Sequence, residues 1–483
     1  MKKYILRYFI LTLSVVTTGI KAQMVGTPHL SFYPVTARYG GTDQDYLYSI
    51  SNTSDGGFIM GGYSASASAG SGDQIGSTGK GGMDYWIVKT DNTGNIQWQK
   101  RYGGSGNDQL YKVFQTADSG YILLGRSEAG SALSGDQAGI SGKGATDYWI
   151  IKTDAAGNIQ WQKRYGGAGD DIVNSANCIV QTADGGYFIG GYSVEASANT
   201  ADQTGNTNYG SYDYWVLKTD GNGNIQWQKR YGGSNEDYLY SVKQTQDGGY
   251  IIGGNSDIAS NGTQSGLSWK GYFDYWVIKT DAAGTVEWQK AYGAEWNDYM
   301  YDVIQTNEGG YAIAGYSMPG LMPASGGDLS GVQVTPGADG TNFWIIKTGS
   351  TGDIQWQKLY GGSGEDFCYA IKQTSDNGFI VGGFADANSA NTGDQAGSTG
   401  YGGNDYWVLK TDSSGSIQWQ KRYGGADDDF LYTISETANS FILGGFSAEG
   451  SFNTGNQAGT NKQGGFDFWV IKTDKNGNIS MMR

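Results

Sequence analysis

Residues 213–233 read Asp213-Tyr214-Trp215-Val216-Leu217-Lys218-Thr219-Asp220-Gly221-Asn222-Gly223-Asn224-Ile225-Gln226-Trp227-Gln228-Lys229-Arg230-Tyr231-Gly232-Gly233. Two apolar, aromatic runs flank a cluster of Asp, Asn and Gly, the pattern of two strands joined by a glycine-dependent hairpin. The opening Asp-Tyr-Trp returns along the chain, placing tryptophans at Trp86, Trp149, Trp215, Trp276, Trp344, Trp407 and Trp469, with spacings of 63, 66, 61, 68, 63 and 62. Two copies are softened, to Asn342-Phe343-Trp344 and Asp467-Phe468-Trp469. Such periodicity marks one supersecondary unit repeated, each copy burying its apolar face against its neighbours.

Residues 232–292 show what a copy contains. Tyr238 to Thr245 alternates as a first strand, Asp247-Gly248-Gly249 makes a tight turn, and Tyr250 to Gly254 is a buried second strand. A long polar loop leads to a third strand at Asp274 to Lys279, and a second hairpin leads to a fourth at Val286 to Lys290. Four antiparallel strands repeated seven times predict an all-β chain, a seven-bladed β-propeller. A string of independent sandwiches is excluded, because each bare sheet would keep two unpacked faces.

Closure is the least determined feature. The last copy ends at Asn478 to Arg483, with Met481 where the other fourth strands carry Trp98, Trp161, Trp227, Trp288, Trp356 and Trp419. Near the start, Tyr33-Pro34-Val35-Thr36-Ala37-Arg38-Tyr39-Gly40-Gly41 imitates the end of a fourth strand. Two segments compete for one outer slot, and the short hairpin favours residues 478–482. The expected division is a signal peptide over 1–22, an N-terminal segment over 23–41 and the propeller over 42–483. Lys2 and Lys3, a mostly apolar run to Val16 and the Ala22-Gln23 junction carry the signal-peptide reading, so an exported bacterial protein is expected.

The same residues resemble a class of bacterial exported repeat proteins with kelch-like β-propeller architecture, and the likeness covers nearly all of residues 42–483. Some relatives carry glucanase-type names whose chemistry this motif does not display. Others continue into a C-terminal sorting domain, whereas here the sequence stops at Arg483.

Composition narrows the function. A net charge of −15 argues against nucleic acid and anionic lipid while leaving room for cations. No stretch after the leader is long and apolar enough to insert in a membrane. The sole histidine, His29, lies outside the repeats, which removes imidazole catalysis and His-based zinc sites. Cys178 and Cys368 fall three repeats apart and read as buried free thiols. A monomer without a required cofactor is expected.

Three constellations remain. An aspartate stands six residues after each repeat's tyrosine, at Asp45, Asp108, Asp171, Asp237, Asp298, Asp366 and Asp429, with Asp170, Glu236, Glu365 and Asp428 beside some of them. A ring of these at one channel mouth could hold calcium; a loop brace accepting backbone N–H bonds is the cheaper reading, since the residue recurs in every copy. A Gly-Asp-Gln motif in the second loop (Asp73, Asp136 and Asp394, varied at Asp202, Asp328 and Asn456) reads as a turn. The third constellation is where the symmetry breaks. Trp269 in the second loop of blade four, Glu295 and Trp296 entering blade five, and the long loop with Met318, Leu321 and Met322 converge on one face, with Asp302 expected nearby. This is a candidate platform for a glycan or protein partner. The rivals are a glycoside hydrolase using two carboxylates, and an inert scaffold.

Overall fold

The computed structural model describes residues 36–268, 270–318, 327–332, 340–461 and 463–480. The leader, His29, Trp269, Leu321 and Met322 lie outside them. The architecture is the seven-bladed propeller: seven antiparallel four-stranded sheets arranged in a ring, each running from an inner to an outer strand. Between the second and third strands the loops carry three-residue 3-10 turns, such as Gly72–Gln74 and Gly135–Gln137.

The Asp-Tyr-Trp repeat is the joint between blades. Each aromatic beside the tryptophan packs on the tryptophan of the next blade, as in Tyr85–Trp149 (4.6 Å), Tyr214–Trp276 (4.6 Å) and Phe343–Trp407 (4.5 Å). Phe468 completes the circle against Trp86 at 4.4 Å. Several of these tyrosines also donate to the same tryptophan's carbonyl, Tyr85 at 2.9 Å and Tyr406 at 3.0 Å. All seven tryptophans are fully buried. The paired glycines of the second strand permit close packing: a Cβ on Gly61 would lie 2.7 Å from Val113 of the next blade, and one on Gly62 would lie 1.7 Å from the Tyr46 carbonyl on the neighbouring strand of its own blade.

A buried polar network spans each regular blade. In blade one, Arg101 on the outer strand pairs with Asp84 at 2.8 Å and donates to Gln74 Oε1 at 2.6 Å. Gln74 in turn donates to Asp45 at 2.7 Å. The Gly-Asp-Gln motif is thereby explained: its Gln links two aspartates through an arginine, and its Asp73 accepts the Gly40 N–H.

The outer slot of blade seven goes to the N-terminal strand, contrary to the expectation for residues 478–482. Thr36–Tyr39 pairs antiparallel with Asp467–Thr473, in register Thr36 to Ile471 and Tyr39 to Phe468. At the C-terminal end, Ile479 makes one isolated bridge to Thr473. The reason is chemical. Arg38 occupies the arginine position of the network, pairing with buried Asp467 at 2.7 Å and donating to Gln457 at 2.8 Å. Tyr39 donates to Gly94 of blade one, as Tyr102 does to Gly157. The 478–480 segment carries neither residue type.

Truncating one partner of a buried ion pair strands the other, at a cost of about 3–5 kcal/mol. Arg38→Ala is therefore expected to destabilise the protein by that amount in equilibrium denaturation, much as Arg101→Ala should. A change under about 0.5 kcal/mol, the range of ordinary surface substitutions, would mean that the N-terminal strand does not hold blade seven closed.

Candidate functional site

Blades four and five depart from the repeat. Ala291 and Leu359 stand where other outer strands carry arginine, and in blade five Leu329 and Asn342 replace the glutamine and the aspartate. The blade-five change is self-consistent, an apolar pair replacing a charged one, with Leu329 and Leu359 both buried. In blade four Asp274 remains and burial pushes it up to about 7. Lys270 reaches into the vacated space, donating to the Ala291 carbonyl at 2.8 Å and pairing with Asp328 of the blade-five loop.

The loops meet here by a backbone approach that recurs round the ring, as at Gly81 and Gly144. A Cβ on Gly271 would lie 2.2 Å from the Ala294 carbonyl and 2.4 Å from that of Trp296, so only glycine admits the approach. The contact raises two aromatics side by side: Tyr272 is 60% exposed, Trp296 is 50% exposed, and their ring centroids are 6.3 Å apart with planes at 40°. Glu295 is exposed beside them. Met318 is half-buried and donates its N–H to the Asn297 carbonyl at 3.1 Å. Glu295 and Trp296 thus stand two residues and one residue from Asn297, which Met318 contacts, while Tyr272 is an addition to the predicted set. Its signal was available, because Tyr272 is an exposed aromatic at the position where blades two and six carry Ala145 and Gly403.

Asp302 belongs elsewhere. It lies on the inner strand Asp298–Gln305, buried on the channel side, where it pairs with Lys243 at 3.2 Å and accepts from Ser241 at 3.1 Å. A strand advances about 3.3 Å per residue, which carries Asp302 well below the rim that holds Trp296.

The seven repeated aspartates are fully buried, each inside its own blade. Each accepts a backbone N–H four residues earlier, as from Gly41 to Asp45 (2.7 Å), Gly104 to Asp108 (2.7 Å) and Ala294 to Asp298 (2.7 Å). Serine hydroxyls add to this at Asp45, Asp108, Asp171 and Asp429. Among the described residues no three acidic or metal-ligating side chains gather into a metal site. The geometry is that of a brace. It also separates the carboxylates from any channel mouth: of the described residues lining the axial cavity, Asp302 is the one carboxylate.

The channel has its own organisation. Six inner strands carry a β-bulge at the same tyrosine, between Leu47 and Ser49 in blade one and between Met300 and Asp302 in blade five. A bulge re-aims its side chain. Here it collects Tyr48, Tyr111, Tyr240, Tyr301, Tyr369 and Tyr432 around the axis, with Tyr301–Tyr369 at 4.5 Å and Tyr369–Tyr432 at 4.8 Å. Blade three breaks the set. Its inner strand is split into Asp171–Ile172 and Ile179–Gln181, and Asn174 stands in the gap.

No protein-family model matches the chain, and no curated protein sequence does. Solved structures are similar only loosely. A protein of unknown function from Bacteroides caccae shares 9% identity over 70% of this chain and 89% of its own, with a TM-score of 0.34. A member of the DUF4221 family from Bacteroides vulgatus shares 10% identity over 91% and 97%, with a TM-score of 0.35. Drosophila Plexin A, solved in complex with Semaphorin 1b, shares 6% identity over 91% and 86%, with a TM-score of 0.42. At these values the likeness carries no argument about function. The fold rests on the chain's own strand pairing.

Burial raises the repeated aspartates, Asp45 and Asp108 to about 6 and Asp298, which lacks the glutamine, to about 8. The native state then holds more protons than the unfolded chain above the ordinary carboxylate value of about 4, so stability falls as pH rises through the interval up to about 8. Asp298→Asn is expected to stabilise at pH 8 by more than about 1 kcal/mol and to be near neutral at pH 4. Equal effects at both pH values would contradict this. EDTA is expected to leave the melting temperature unchanged; a drop that calcium reverses would return the aspartates to metal binding.

Proposed function

We propose that this protein is an exported binding module that takes up a glycan through the Tyr272–Trp296 pair. The observation carrying the reading is that two large aromatics, 60% and 50% exposed, lean on each other instead of folding into the blade core. Soluble proteins seldom leave two adjoining aromatics open without a partner, and exposed rings beside polar groups are the usual contact surface of such partners. Sugar rings present flat C–H faces to aromatics and hydroxyls to the rim, which here includes Glu295. Export rests on the leader-like N-terminus and on the likeness to exported repeat proteins. Among the described residues no helix is long and apolar enough to cross a membrane.

Because both rings are open to solvent, Tyr272→Ala and Trp296→Ala should shift stability by no more than about 0.5 kcal/mol. Each should weaken retention on a glycan array by roughly tenfold, the loss of about 1.4 kcal/mol. Unaltered retention, or binding only to protein baits, would remove the glycan reading. Reducing ends released from a soluble polysaccharide would replace a binder with a hydrolase.

A further inference from the structure

Below the tyrosine ring the channel holds a cavity of about 110 Å³. Lys112 and Lys372 line it, and Lys243 stands beside them through its contact with Asp302. The three lysines come from blades two, four and six, so the ring topology alone brings them together. The repeat does not ask for them: the position of Lys243 and Lys372 is Ser51, Phe114, Ile304 and Ser435 elsewhere, and that of Lys112 is Ser49, Ser241, Asp302, Ala370 and Thr433.

The charges do not balance. Lys243 is matched, pairing with Asp302 at 3.2 Å and donating to Asn177 Oδ1 at 3.3 Å and to Ser241 Oγ at 3.2 Å. Asp302 is occupied further by Ser241 and by the Ile371 N–H at 3.4 Å. Among the described residues no carboxylate lies within ion-pairing distance of the Lys112 or Lys372 ammonium, and neither makes a hydrogen bond. Three ammonium groups therefore face one carboxylate, in a protein whose net charge is −15. Burial, then repulsion from Lys372 and Lys243, pushes Lys112 down to about 7; burial also lowers Lys372. Half-buried cations without a counter-charge are costly, and a site that keeps them against an acidic background is built to be neutralised from outside.

We propose that this cavity is an anion site in which Lys112, Lys243 and Lys372 hold a small doubly charged oxyanion of phosphate or sulfate size. The volume suits it, since the space holds a handful of waters and no more. Access suits it too, because the lining includes exposed Asn52 and half-exposed Ser435 at the hairpin end of the inner strands. On the other side Tyr301, Tyr369 and Tyr432 rim an adjoining void with hydroxyl-bearing rings. The site sits at the far end of the inner strands from Tyr272 and Trp296, so it is independent of the glycan reading.

Titration of the full protein with inorganic phosphate and with sulfate, at ionic strength held constant with potassium chloride, tests the site by calorimetry. One binding event is expected. A charge-assisted hydrogen bond contributes about 1.5–3 kcal/mol, so Lys112→Met and Lys372→Met should each weaken binding by at least about tenfold. Lys100→Met, at a half-exposed outer-strand position, should bind as the parent does. Both channel substitutions remove a repelled charge and should leave the fold intact, which circular dichroism verifies. Crystals of the parent soaked in selenate give a readout that needs no variant: anomalous density between the three ammonium groups is expected. Absence of both heat above the chloride control and selenate density would overturn the proposal, as would unchanged affinity in the Lys112→Met/Lys372→Met double variant.

Discussion

Blade-to-blade packing of an aromatic on the next blade's tryptophan is the contact on which everything else depends. A four-stranded sheet cannot bury both faces alone, and here each one does so by presenting Tyr or Phe to one neighbour and Trp to the other. Each such pair adds about 0.5–1.5 kcal/mol beyond its burial of area. Because Phe468 meets Trp86, the chain has no terminal sheet with an open face, so no capping repeat is required. The axis then follows. Seven inner strands must share it, and residues hundreds of positions apart become neighbours, as Ser435 and Asn52 do at 3.1 Å.

The buried Asp–Gln–Arg network tells a second story, about where the ring tolerates change. Where all members are present the loops above are fixed by charge-assisted bonds on every side. Where the arginine is replaced, by Ala291 or Leu359, the loops over blades four and five keep contacts that recur elsewhere in the ring: the Lys270–Asp328 pair has counterparts in Lys80–Asp136 and Lys143–Asp202, and the close approach at Gly271 has counterparts at Gly81 and Gly144. Those are the loops that raise Tyr272 and Trp296.

Much of this was legible before any coordinates. The tryptophan spacing gave the blade count, and the glycine-rich hairpins gave the strand number per blade. Cys178 and Cys368 are buried and free, as their separation implied. The short hairpin points to residues 478–482 for closure, whereas the residue that decides the slot is the arginine; Arg38-Tyr39-Gly40-Gly41 matches Arg101-Tyr102-Gly103-Gly104 letter for letter. Asp302 was misplaced because proximity to Trp296 in sequence was taken for proximity in space, although the intervening residues form a strand. The lysine cavity was hidden for a different reason. Its members are ordinary exposed-type residues within three separate repeats, and only the ring's geometry makes them a group.

Symmetry explains why chemistry should be sought in such departures. A residue found in all seven blades answers a need that all seven share, and the repeated aspartates do so, each closing its own turn with backbone and side-chain donors. A residue found once carries no such obligation. Lys112 sits where four other blades place Ser, Ala or Thr and blade five places Asp302, and blade three inserts extra residues between Val173 and Cys178 where the others complete the tyrosine ring. The fold gains nothing from either, since a half-buried lysine without a counter-charge is a burden, and a split strand forfeits ladder bonds. Both changes line the axial cavities, one supplying positive charge and the other the polar side chains of Asn174, Ser175 and Asn177 in place of a tyrosine. Within a structure whose remaining inner surface is nearly uniform, that coincidence marks the channel as a place where something charged is received.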